Sequence, residues 1–223
     1  SGDITWVEII EYIAKKGKPV LIATGASTMK DVVRAMNVLE SINDDIVLMQ
    51  CNTNYTVNSD NFKYTNLNVL KTYKRRFPNA ILGLSDHTLG HSTVLGAVAL
   101  GARIFEKHFT DDNDRVGPDH KFAMNPEHWK EMVIFANELY KSLGNGVKDV
   151  EANEEETVVL QRRALRFTRN LSKGHVLSKS DMFPLRPIPS DGIPPYAIND
   201  FIERKLKYDV KMDDYLKKGD IEL

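Results

Sequence analysis

The chain has 223 residues, with 30 lysine or arginine residues against 31 aspartate or glutamate residues and a formal net charge of −1. That length can bury the core of one large domain or of a medium domain plus a small one, while basic residues spread along the chain exclude a nucleic-acid footprint. A single cysteine, with no signal segment and no long apolar run, predicts a cytoplasmic protein without a membrane partner.

Four short apolar segments predict the strands of a parallel sheet that is covered on both faces. Helical patterns separate these strands, precede the first and follow the last, which gives a strand-helix repeat of roughly 25–35 residues. The predicted strands lie in 18–25, 44–52, 79–88 and 101–110, and the predicted helices in 4–17, 27–42, 66–78, 91–102 and 125–144.

Two of the predicted helices carry clear terminal signals. Thr28 and Asp31 have the spacing of a capping box. Asn125 and Pro126 begin the last helix, and Gly144 follows its end. The pattern predicts a parallel α/β fold and leaves its architecture open, because about four or five strands complete a doubly wound sheet whereas a (β/α)8 barrel needs twice as many.

The composition changes after the last predicted helix. Residues 146–157 are acidic and turn-rich, which is typical of a linker, and residues 158–223 contain many prolines and short apolar pieces. We therefore expect a (β/α) unit over 1–145 and a small β-rich or turn-rich domain at the C-terminal side. Within that domain "LSKGHVLSKSDM", from Leu171, resembles "VKMDDYLKKGDI", from Val210, which suggests internal pseudo-symmetry.

Ionisable residues end two consecutive predicted strands, in "SDHT" and "EKHFT". Alternate residues of a strand share a face, so Glu106 lies with His108, and Ser85 lies with His87. The carboxyl ends of parallel strands form the active-site edge of α/β sheets and barrels. Neighbouring strands lie about 4.8 Å apart, so an imidazole from each strand could reach one divalent cation. With a carboxylate and water, this donor set suits Mn²⁺, Fe²⁺ or Zn²⁺ better than Ca²⁺.

A plainer interpretation is that these strand ends are solvated and that each histidine is a satisfied surface group. Repetition at two consecutive strand ends favours a site. His91, His128 and His175 lack such a setting, and we expect them to be structural or exposed. Cys51 is expected to be a small buried hydrophobe.

Several stretches resemble, in order and approximate spacing, the sialic acid synthase family, which makes N-acetylneuraminate and related nonulosonates. They are "SGDITWVEIIEYIAKKGKPVLIATGAST", "LMQCNTNYT", "ILGLSDHT", "GARIFEKHFT" and "GPDHKFAMNPE". The stretch "LSKGHVLSKSDMFPLRPIPSDGIPP" resembles the antifreeze-like SAF domain of that family, a β-clip fold. The resemblance implies an α/β fold, the C-terminal half of a (β/α)8 TIM-type barrel followed by this small domain.

The resemblance also implies a reaction, the condensation of phosphoenolpyruvate with an N-acylmannosamine-type sugar and the release of phosphate. It implies a divalent metal, Mn²⁺ or Mg²⁺, and a domain-swapped homodimer in which Arg186 of one SAF domain meets the N-acyl group in the partner's barrel. The residues implied by position are His87 and His108 for the metal, Glu106 and Asp119 for catalysis, and Ser1, Thr53, Tyr55, Ser85 and Arg186 for substrate binding.

The sequence also departs from the family pattern. Ala23 stands where the family has a serine of the phosphate pocket, and "CNTNYT" and "RPIPSDGIPP" differ from the commoner stretches. These departures favour a modified nonulosonate such as legionaminate or pseudaminate. The alternatives to the synthase are a SAF-type carbohydrate-binding module and another metal-dependent aldolase or hydrolase on the same fold.

Four strands of a half barrel leave two open edges and an uncovered apolar face. We therefore expect this chain either to pair with a complementary half or to be part of a longer protein.

Overall fold

A computed structural model describes residues 1–56 and 58–222, so Leu223, the end of the predicted second domain, lies outside the described residues. The chain divides into two compact units, Ser1–Gly146 and Val147–Leu223. None of the helices described is long and apolar enough to cross a membrane.

The first unit contains a four-stranded parallel sheet in the order β1-β2-β3-β4. Each strand lies beside the one that precedes it in the chain, whereas a doubly wound sheet reverses its strand order at a switch point. This successive order is that of a half barrel, and it resolves the alternative that periodicity leaves open. The strands are β1 (Val20–Ala23), β2 (Ile46–Cys51), β3 (Ile81–Asp86) and β4 (Ile104–Lys107).

Helices flank these strands, and their ends carry the predicted signals. The Thr28 side chain accepts a hydrogen bond from the Asp31 N–H, and the Asp31 carboxylate accepts one from the Thr28 N–H. Asn125 caps the last helix of the first unit by accepting from the His128 N–H, and Gly144 follows that helix with a φ of +60°. The helices are α1 (Val7–Ala14), α2 (Met29–Glu40), α3 (Val69–Arg76), α4 (Ser92–Ala99) and α5 (Pro126–Ser142).

The two faces of the sheet differ in environment. The register aligns Leu21, Val47 and Ile81 on the face opposite to the helices, where Leu21 is 52% exposed and Ile81 is 49% exposed. Apolar side chains of this inner face are therefore partly open to solvent in this chain. The helix-facing side is the core, and its buried strand residues include Ile46, Leu48, Leu82 and Leu84.

The second unit begins with an irregular segment over 147–151, which a short helical segment follows. A 3-10 turn at Ala152–Glu154 leads into α6 (Glu155–Gln161), so the linker predicted for 146–157 is partly helical. The acidic run supplies a capping box between Glu151 and Glu154 and carboxylates for the first helical turn, where the helix dipole favours negative charge. The acidic composition of this segment is typical of a linker, but these acidic residues lie where they cap and begin a helix.

After α6, the described part of the second unit contains a two-stranded antiparallel sheet, isolated bridges and short 3-10 turns. Its strands are β5 (Ala164–Phe167) and β6 (Met182–Leu185). The internal repeat is visible here: Leu171 and Val210 pair with each other, with N–H to O distances of 3.0 and 2.9 Å. In each copy of the repeat a buried leucine precedes a 3-10 turn. A capping-box aspartate closes each turn, Asp181 in the first copy and Asp220 in the second.

Candidate active site

The carboxyl ends of β3 and β4 bring Ser85 and Glu106 together. The two residues are opposite each other in the register, and Ser85 Oγ donates to Glu106 Oε1 at 2.8 Å. Cys51 lies opposite Ser85 on β2. Because side chains alternate along a strand, all three share the face opposite to the helices. The strand-end groups predicted for a site therefore do meet on one face.

His87 and His108 follow these two strands, and their ring centroids are 5.1 Å apart. Nδ1 of His87 lies 3.0 Å from the carbonyl oxygen of Asn52, and Nδ1 of His108 lies 3.3 Å from Oδ2 of Asp119. An acceptor at one ring nitrogen selects the tautomer in which the other nitrogen can be a ligand. Within the described chain, this arrangement leaves Nε2 of each ring as the donor for a metal.

Two aromatic rings flank the histidines. Tyr55 is edge-on to His87, with ring centroids 4.6 Å apart, and its ring is 5.6 Å from that of His108. The buried Phe122 ring lies 5.1 Å from the His108 ring. The loop that carries Phe122 is held at its end by Met124, whose N–H donates to the carbonyl oxygen of His108 at 2.8 Å. The aromatic rings restrict the orientations that the two imidazoles can take.

Cys51 is buried as predicted, but its neighbours are polar. Its Sγ lies 3.9 Å from Nδ1 of His87 and 3.5 Å from Oγ1 of Thr53. Burial raises the pKa of Cys51, but hydrogen bonds with His87, Ser1, Thr53 and Ser85 outweigh burial and lower the pKa from 9.0 to about 7. Burial lowers the pKa of His87, but the contacts with Cys51 outweigh it and raise the pKa above its ordinary value. Without a bound metal, each of these two groups therefore favours the charged form of the other.

Gly25 lets the end of β1 approach Ser1 and Thr53. The Gly25 N–H donates to Ser1 Oγ at 3.1 Å. A Cβ at this position would lie 1.7 Å from Thr53 Oγ1 and 2.9 Å from Ser1 Oγ, so any larger residue would displace these hydroxyls. Ser1 and Thr53, both predicted to bind substrate, are thus brought to the same edge of the sheet as Cys51.

The residues present fit a divalent metal that keeps open coordination positions. Neutral imidazoles suit Mn²⁺, Fe²⁺ and Zn²⁺, and the Nδ1 partners of His87 and His108 are the acceptors that metal-binding histidines use. Residues 1–56 and 58–222 contain no group of three or more His, Cys, Asp or Glu arranged as a complete metal site. Further ligands would have to come from substrate, water or other protein residues.

Arg186 lies in the second unit, directly after β6. Its side chain is exposed, and its Nε donates to the carbonyl oxygen of Gln161, the last residue of α6, at 2.7 Å. This bond holds the base of the guanidinium against the helix end. The role of Arg186 at a partner subunit stays a prediction.

The sequence interpretation missed two features around the histidines. One is Phe122, which belongs to no periodic pattern and lies on a loop that places its ring beside His108. The other is a buried ion pair between Asp86 and Lys107, 2.5 Å apart, on the opposite side of the strands. Its signal in the sequence is the opposite charge of the residues that immediately precede His87 and His108.

The fold and the strand-end residues define a class of protein, a parallel (β/α) half barrel with ionisable groups at its carboxyl edge, followed by a small antiparallel domain. A profile of the NeuB family matches residues 1–148, and a profile of the SAF domain matches residues 162–222. The chain belongs to the NeuB family, the nonulosonate synthase family, and carries a SAF domain. The family and the fold class predicted from the sequence are confirmed.

Relatives from three organisms show how much of a family member this chain represents. An uncharacterized protein of Methanocaldococcus jannaschii is 38% identical over 222 residues, which are 99% of this chain and 64% of the relative. The N,N'-diacetyllegionaminic acid synthase of Campylobacter jejuni is 30% identical over 221 residues, 98% of this chain and 64% of the relative. The solved structure of spore coat polysaccharide biosynthesis protein spsE of Bacillus subtilis is 29% identical with a TM-score of 0.58, over 99% of this chain and 66% of that one. The chain thus spans less than two thirds of the length of each.

Proposed function

We propose that this chain forms part of a synthase that condenses phosphoenolpyruvate with an N-acylmannosamine-type sugar to give a sialic acid or related nonulosonate and phosphate. The observation that carries the proposal is the placement of His87 and His108, with ring centroids 5.1 Å apart, at the strand ends of a NeuB-family half barrel. The activity of the Campylobacter relative supports a diacetamido sugar of the legionaminate type as the acceptor.

Each residue of the site has a task that its contacts support. His87 and His108 would hold Mn²⁺ or Mg²⁺ through Nε2, and the cation would act as a Lewis acid toward the sugar aldehyde. The Asp119 side chain is 47% exposed, so its carboxylate can accept a proton from a sugar hydroxyl. Glu106 is oriented by its hydrogen bond from Ser85, which suits it to proton transfer beside the reacting carbon.

In the proposed reaction the enol carbon of phosphoenolpyruvate forms a bond to the aldehyde carbon of the open-chain sugar. The aldehyde oxygen takes up a proton and becomes a hydroxyl. Water then adds to the carbon that bears the phosphate group, and inorganic phosphate leaves. Ser1 and Thr53 offer hydroxyls at the same edge, and the Gly25 N–H holds Ser1 Oγ there, so this end of β1 suits binding of the phosphate group.

Phosphate release tests this function. The full-length protein that contains this chain is incubated with phosphoenolpyruvate, Mn²⁺ and a panel of N-acetylmannosamine and diacetamido-sugar acceptors. We expect acceptor-dependent release that His87→Ala and His108→Ala abolish, and that His128→Ala, on the exposed surface of α5, leaves unchanged. Consumption of an acceptor sugar in the absence of phosphoenolpyruvate would favour another aldolase or hydrolase, and sugar binding without turnover would favour a carbohydrate-binding module.

Subunit mixing tests whether Arg186 acts on a partner's barrel. A His87→Ala subunit lacks a working site but keeps its arginine, and an Arg186→Ala subunit has the opposite defect. If Arg186 acts in the partner, co-expression of the two variants restores activity, because the mixed dimer contains one complete site. If Arg186 acts within its own subunit, the mixed dimer remains as inactive as either variant alone.

A further inference from the structure

A buried ion pair lies directly behind the two histidines. Lys107 Nζ is 2.5 Å from Asp86 Oδ2, and both side chains are 1% exposed. These residues are opposite each other in the register of β3 and β4, one position before His87 and His108. Alternation along the strands places the pair on the helix-facing side and the imidazoles on the other. The pair therefore joins the two strands at the level from which the histidines project.

The same pair holds the turn that follows His87. Asp86 Oδ1 accepts from the Thr88 N–H at 3.1 Å, and Lys107 Nζ donates to the Thr88 carbonyl oxygen at 2.7 Å. Asp86 Oδ2 also accepts from Thr93 Oγ1, in the first turn of α4, at 2.6 Å. His87 thus lies between two residues whose positions are held by one network, and the start of α4 is tied to it.

A gain in folding stability alone does not readily explain why this ion pair is buried. Burying two charges carries a desolvation cost, and apolar residues of similar volume in place of a buried ion pair are often neutral or stabilising. The geometry supplies another reason. Asp86 and Lys107 fix the relative position of two strand ends that each supply one imidazole, and a metal bound by both imidazoles requires that separation to be set closely.

We propose that Asp86 and Lys107 are positioning residues that set the separation of the His87 and His108 imidazoles for one shared divalent cation. The inference rests on the proposed function, because it takes the two histidines as metal ligands. Neither charged residue touches the inner face of the sheet, so both act through the histidines and not on substrate.

Co²⁺ binding to the full-length protein tests the inference, with affinity measured by calorimetry and coordination followed by visible absorption. The double variant Asp86→Asn/Lys107→Met removes both charges and leaves no unpaired ion. Because residues that orient metal ligands typically change metal affinity about 10–100-fold, we expect a loss of that size and an altered Co²⁺ spectrum. Thr93→Val keeps both charges and removes one hydrogen bond to Asp86, so we expect it also to weaken Co²⁺ binding, by a smaller factor than the double variant. If the double variant does not fold, Thr93→Val provides the test.

Two further variants separate the possible outcomes. Arg34→Gln removes the more exposed ion pair with Asp31 on α2, and we expect it to leave Co²⁺ affinity and spectrum unchanged. His87→Ala tests the metal site itself. If His87→Ala weakens binding while the folded double variant or Thr93→Val binds Co²⁺ with wild-type affinity and spectrum, the positioning role is wrong. If His87→Ala leaves Co²⁺ affinity unchanged, the proposed metal site fails, and the positioning role fails with it.

Discussion

Removal of the His87 imidazole is expected to shift the titration of Cys51 upward. The pKa of Cys51 is about 7 in this fold, against an ordinary value of 9.0. At pH 7 a thiol with that pKa is about half thiolate, whereas a thiol at the ordinary value is only about 1% thiolate. Burial favours the neutral thiol, and the hydrogen bond with His87 is the largest contribution that opposes it. His87→Ala therefore leaves Cys51 buried and removes the contact that lowers its pKa most.

The assay follows the ultraviolet absorbance of the thiolate against pH in metal-free protein. Cys51 is the single cysteine of the chain, so the signal has one source, and Cys51→Ser provides the baseline for tyrosine ionisation. We expect a wild-type midpoint of about 7 and a higher midpoint for His87→Ala. A wild-type midpoint near 9.0, or a midpoint that His87→Ala does not move, would refute the reasoning.

The same two groups give stability a pH dependence of opposite signs. The folded-state pKa of Cys51 lies below its ordinary 9.0, so its contribution to stability is full above that value and is lost as pH falls through about 7. The folded-state pKa of His87 lies above its ordinary 6.5, so its contribution is full below 6.5 and is lost as pH rises through the folded-state pKa. The Cys51 contribution is therefore lost toward acid pH, and the His87 contribution is lost toward alkaline pH.

Three further substitutions are expected to act at other places. Gly25→Ala should displace the Thr53 hydroxyl, which lies 1.7 Å from the new Cβ position, while the fold persists. Because the hydrogen bond with Thr53 lowers the pKa of Cys51, its loss should raise the midpoint of the Cys51 titration, and an unchanged midpoint would contradict this. Asp181 is 1% exposed and accepts hydrogen bonds from Arg169, His175 and Ser178, which outweigh burial and hold its pKa below 3.8. Asp181→Asn should therefore destabilise the SAF domain by roughly 3 kcal/mol above pH 3.8. The difference in stability between variant and wild type should shrink as pH falls through the lowered pKa of Asp181. Hydrogen exchange measures this difference, and equal protection in both proteins would count against it. Leu48→Ala should cost about 2–5 kcal/mol in urea unfolding of this chain, whereas Leu21→Ala on the exposed face should cost about 0.5 kcal/mol; equal costs would show that the two faces are wrongly assigned.

The predictions made from residue patterns were most accurate where the pattern is local. The strand and helix positions of the first unit, the Thr28 capping box and the shared face of Ser85 and Glu106 agree with the structure. The linker assigned to 146–157 stays a prediction, and its helical part was missed because composition does not distinguish a solvated acidic run from acidic residues that cap a helix at Glu154. The polar surroundings of Cys51 were missed mainly because Ser1 and His87 lie far from Cys51 in the sequence.

The sequence by itself determined the order of strands and helices, the face on which each strand-end residue lies and the family to which the chain belongs. These depend on side-chain periods and on short motifs, which neighbouring residues specify. Only the tertiary structure decided that the Tyr55 ring stands against both histidines, that Cys51 meets His87, and that Asp86 pairs with Lys107 behind them. Such contacts depend on the register between strands and on the path of loops, and neither is encoded in the periodicity of any single segment.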